Sequence, residues 1–138
     1  MKISINRTMK IILVIACLMT AVIGFMVKLP SAFRPFDKEL HTLFYFSAAA
    51  FLNLLFANRN IAIHLLFFGI LYAFGISIEY AQAYSNKFFH TRIHGRYDPE
   101  DIRANLKGLL AFSAVWAVGV SLFFLYNKAT VKEAVNES

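Results

Sequence analysis

Four apolar stretches, 11–27, 40–57, 61–83 and 106–126, dominate this sequence. Each is close to the roughly 20 residues that a helix needs to cross ~30 Å of hydrocarbon. The chain has 138 residues, of which 59% are hydrophobic, and a mean hydropathy of +0.57. That is more apolar surface than one soluble core of this size can hide. A soluble bundle would also need charged faces recurring along every helix, and 11–27 contains no charge. The pattern predicts an all-α membrane protein: one domain, a four-transmembrane-helix bundle, with 127–138 as a short polar tail.

The flanks of these stretches refine the prediction. Lys2, Arg7 and Lys10 precede the first run, the layout of a signal peptide as well as of a span. The residues after Cys17 stay apolar for about ten more positions, which predicts a retained span. Cys17 is the single cysteine, so no disulfide forms within the chain. The net charge of +6 would suit nucleic acid in a soluble domain. Here the basic residues lie beside and between spans, so membrane lipid is the expected partner and nucleic acid is not. Pro30 and Pro35 end the first helix, and the short Asn58-Arg59-Asn60 turn makes helices two and three antiparallel neighbours.

Polar residues recur at helical spacing in three places. In helix two, Asp37, His41 and Tyr45 are followed on the same stripe by Ala48 and Leu52, with Lys38 and Glu39 alongside. In helix three, Tyr72, Gly75, Glu79 and Gln82 share a face, and Glu79 lies roughly 27 Å along from Ile61, near the far boundary. A carboxylate at that depth needs a partner or water. Asp98 suits an N-cap, Pro99 the first helical position, and Glu100 and Asp101 the positive end of the helix dipole. Asp98, Asp101, Asn105 and Gly108 then fall on one face of helix four, with Arg96 just before it.

With four spans, the start of helix two, the end of helix three and the start of helix four lie on one side of the membrane. Asp37, Lys38, His41, Tyr45, Glu79, Gln82, Arg96, Asp98, Asp101 and Asn105 are therefore expected to form a polar cluster at one membrane boundary, with Glu79, His41 and Asp101 facing a single pocket. Each has a plainer role: Asp37 as a cap, Lys38 in water, Glu79 among headgroups, Gln82 on helix-end carbonyls. Segment 85–97 reads as an interfacial loop, in which His90 and His94 lack any companion metal motif. Asn53 and His64 read as ordinary polar residues of helix ends.

The order Asp37-Lys38-x-x-His41-x-x-x-Tyr45, Glu79-x-x-Gln82, then Arg96-x-Asp98-x-x-Asp101-x-x-x-Asn105-x-x-Gly108 resembles the VanZ-like family of small bacterial membrane proteins. The likeness spans about residues 35–125. It departs at Phe112, where members often carry glycine, and in a longer aromatic segment after Gln82. The resemblance implies a protein of the bacterial cell membrane and names no reaction.

Two functions follow. One is an accessory or binding protein of the cell envelope. The other is a membrane enzyme in which Glu79 or Asp101 is the general base, His41 an acid or base, and Lys38 and Arg96 hold an anionic, lipid-linked envelope precursor. A proton-coupled carrier would call for an inverted repeat or a mid-membrane charge. No phosphate-binding glycine loop, zinc signature or nucleophile elbow is present, and no metal or cofactor is expected. Six Lys and Arg (Lys2, Arg7, Lys10, Arg59, Lys128, Lys132) flank the terminal side and eight (Lys28, Arg34, Lys38, Lys87, Arg92, Arg96, Arg103, Lys107) the site side. A plain count puts the site inside; the charged N-terminal tail favours both termini in the cytoplasm, which is the orientation expected here.

Overall fold

A computed structural model describes residues 5–27, 30–57, 59–91 and 95–136. Lys2, Lys28, Asn58, Arg92 and His94 lie outside these residues, and with them half of the His90/His94 pair. The described residues are helical with no strand. Helix α1 is Arg7–Met26, a 3-10 turn covers Ser31–Phe36, α2 is Asp37–Leu52, α3 is Ile61–Phe88 and α4 is Pro99–Asn136. Four helices are long and apolar enough to cross a membrane.

The helix ends follow local chemistry. Asn6 caps α1 by accepting the Met9 N–H at 2.8 Å, and Asn60 caps α3 by accepting from Ala62 and Ile63. After Leu52 the helix widens into a π turn over Asn53–Ala57. Two boundaries differ from the sequence reading. Helix α3 continues to Phe88 and stops where His90 takes the left-handed conformation, φ 54°, so residues 85–88 at the start of the expected loop are helical. Helix α4 continues to Asn136, because 127–136 contains neither Gly nor Pro to stop it. Its 38 residues span roughly 57 Å, well beyond a ~30 Å hydrocarbon core.

Helices α2 and α4 run side by side in the same direction and form the main seam. Lys38 meets Asp98 and Asp101, His41 meets Asn105, Thr42 meets Ala104, and Phe46 meets Phe112. Gly108 makes the approach possible, since a Cβ there would strike the Thr42 carbonyl. Tyr45, Ala49, Leu71, Leu109 and Phe112 form the buried core. Phe112 therefore fills space, edge-on to Phe46 at 5.7 Å between ring centres.

Helix α1 stands apart, with Ala21 its one buried residue among those described. It is pinned at both ends: the Lys10 ammonium donates to the Leu55 carbonyl, and the Gln82 amide donates to the Phe25 carbonyl at 2.7 Å.

Asn53 and His64 are not merely residues of helix ends. They are 3% and 4% exposed and form a buried network: Asn53 Oδ1 to His64 Nδ1 at 2.9 Å, and His64 Nε2 to Ser113 Oγ at 3.1 Å. Trp116 stacks on the imidazole at 4.2 Å. The tight turn brings positions 53 and 64 opposite one another, which satisfies both side chains away from water.

Candidate functional site

The N-terminal turns of α2 and α4 and the last third of α3 meet at one end of the bundle. Asp98 opens α4 as expected: Glu100 N–H donates to its Oδ1 at 2.9 Å, and Asp101 N–H donates to its carbonyl at 3.0 Å. Lys38 sits among three carboxylates, bonded to Asp98 Oδ2 at 2.5 Å and to Asp101 Oδ1, and 3.6 Å from Asp37 Oδ2. This ammonium holds the Asp98 carboxyl below the usual carboxylate range.

Behind this layer is His41, 6% exposed, its ring 4.9 Å from that of Phe25. Its Nδ1 lies 2.8 Å from Asn105 Oδ1. An amide oxygen only accepts, so Nδ1 donates to it, and the other ring nitrogen, Nε2, faces the carboxylates. That atom is 3.9 Å from both Asp37 Oδ1 and Asp101 Oδ2, beyond hydrogen-bond range. Tyr45 and Asn105 are each 1% exposed, and both press on Gly75: a Cβ there would lie 2.6 Å from Asn105 Nδ2 and 2.9 Å from the Tyr45 hydroxyl.

Glu79 differs from the sequence expectation. It belongs to the cluster, but it is fully buried and does not line the cavity that His41 and Asp101 face. Its Oε2 accepts the Asp98 N–H at 3.0 Å, while Oε1 has no hydrogen-bond partner among the described residues. Glu79 lies beneath the α4 N-terminus, where it anchors that turn. Asp101 and His41 line the cavity.

The cavity has a volume of about 960 Å³ and lies between α1 and the other helices. Its polar end carries Asp37, Lys38, His41, Asp98 and Asp101, with Arg34 and Arg96 exposed on its wall. Its other wall is α1: Ala16, Cys17, Thr20, Ala21, Gly24 and Phe25. Most of these side chains are small and leave space between α1 and the other helices. Gln82 also lines it, with a buried Oε1 lacking a hydrogen-bond partner among the described residues. Arg34 is the lining cation that sequence periodicity misses, because it precedes the helix and has no place in its repeat. Neither a family model nor a curated protein nor a solved structure matches this chain.

Proposed function

We propose that this chain is a VanZ-like integral membrane protein of the bacterial cell membrane that binds an anionic, lipid-linked envelope precursor. Its helices cross the bilayer four times, its termini are cytoplasmic, and its polar cluster lies at the outer boundary. The observation that carries this reading is the two-part lining of the cavity. Arg34 and Arg96 are exposed cations on the wall of one end, where Lys38 is already paired with aspartates, and roughly 13 Å of α1 supplies a largely apolar wall beside them. A phosphate head joined to a hydrocarbon chain matches both parts. The exposed apolar surface of α1, including Ile12, Met19 and Ile23, is consistent with lipid around it.

A second reading, an enzyme acting on the same lipid-linked phosphate, draws support from His41 and Asp101 lining this cavity. Release of inorganic phosphate from a bound polyprenyl phosphate would favour it.

The binding reading is tested in detergent or nanodiscs with farnesyl phosphate as the probe and native mass spectrometry or calorimetry as the readout. Farnesyl phosphate should bind saturably, farnesol and inorganic phosphate should each bind at least ~10-fold more weakly, and Arg34→Ala/Arg96→Ala should lose a similar factor. Equal binding of farnesol would remove the role of the charged end. Equal binding of inorganic phosphate would remove that of the apolar wall.

A further inference from the structure

We propose that Asp37, His41 and Asp101 form a binding site for one divalent transition-metal cation, open toward the cavity. These residues offer three donor atoms, Asp37 Oδ1, His41 Nε2 and Asp101 Oδ2, all within 4.8 Å of one another. Donors bound at roughly 2.0–2.2 Å from a metal stand roughly 3–3.6 Å apart, so the two 3.9 Å contacts to Nε2 need a contraction of a few tenths of an ångström, and the two carboxylate oxygens, within 4.8 Å of one another, one of up to about 1 Å.

The histidine, not the acidic cluster, carries the inference. His41 is more than nine-tenths buried, and its Nε2 is aimed at two carboxylate oxygens without a hydrogen bond to either. Nε2 and the two carboxylate oxygens stand together as a three-atom donor set, so a cation placed between them is held by all three. Asn105 Oδ1, at 2.8 Å from Nδ1, fixes the ring and its tautomer, as the outer partners of metal-bound histidines do.

Lys38 does not compete for the same atoms. It bonds Asp101 Oδ1 and Asp98 Oδ2, and approaches Asp37 through Oδ2. The oxygens turned away from it are those turned toward His41. One nitrogen and two carboxylate oxygens with open positions favour a transition metal over Mg²⁺.

The inference does not depend on the lipid ligand proposed above and is tested without it. Metal-depleted, tag-free protein in detergent is titrated with Mn²⁺, and the bound ion is read by electron paramagnetic resonance and electron spin echo modulation. One equivalent should bind with modulation from a single imidazole nitrogen. His41→Ala should abolish that modulation and weaken binding by at least the ~10–100-fold seen when outer partners are lost. Asp37→Asn, at a half-exposed side chain whose replacement leaves packing intact, should weaken binding while keeping the nitrogen signal. No saturable binding to the wild type, binding without nitrogen modulation, or unchanged binding in Asp37→Asn would each overturn the proposal.

Discussion

His41 Nδ1 and Asn105 Oδ1 meet at 2.8 Å in the buried seam between α2 and α4, and the contact sets where the other ring nitrogen points. Removing the amide leaves a buried donor without its acceptor, which costs about 1–3 kcal/mol. Asn105→Ala should therefore lower the thermal midpoint in detergent. It should also weaken Mn²⁺ binding by ~10–100-fold while leaving all three donor residues in place. Unchanged metal affinity would show that Asn105 does not position the ring.

Glycine requirements along the bundle should be sharply uneven. Gly108 and Gly75 have no room for a Cβ, whereas Gly69 and Gly119 have nothing within 4 Å of theirs. Gly108→Val should cost about 1–3 kcal/mol or more, because the obstacle is the Thr42 backbone carbonyl. Gly69→Ala and Gly119→Ala should stay within about 0.5 kcal/mol. Thermal unfolding of the three variants in one detergent gives the comparison.

Glu79 separates anchoring from chemistry. Glu79→Gln keeps an oxygen for the Asp98 N–H and removes a carboxylate from a fully buried position, so its stability should stay within about 1 kcal/mol of the wild type. Its farnesyl phosphate and Mn²⁺ affinities should be unchanged, because it does not line the cavity. Glu79→Leu should be less stable by about 1–3 kcal/mol through the orphaned N–H. A large loss of ligand affinity in Glu79→Gln, with stability intact, would bring Glu79 back as a functional group.

Sidedness is the least costly property to measure. Reporter fusions after Lys87 and after Ser138 should report opposite faces, with Lys87 outside. Matching signals would refute four crossings, and opposite signals with Lys87 inside would reverse the orientation.

The sequence alone determined the helices and the end of the bundle where the polar groups gather. Helical spacing puts Asp98, Asp101 and Asn105 on one face, and the parity of four apolar runs brings them level with Asp37, His41 and Glu79. Both follow from local periodicity and chain length, so a one-dimensional pattern is enough. The turn at His90 and the length of α4 were less legible, because the sequence around each has no strong helix stop.

The tertiary structure alone decided how far each helix is rotated and how closely it approaches its neighbours. Gly108 against Thr42 and Gly75 against Tyr45 and Asn105 set the α2–α4 and α3 spacings, and neither partner of such a contact marks the other in sequence. That rotation turns Asp101 and His41 into the cavity and closes Glu79 beneath Asp98. It also holds α1 off the bundle, so that its small residues line a cavity instead of filling one. Exposure of a carboxylate depends on a few ångströms of interhelical packing, and hydrophobic periodicity carries no information on that scale.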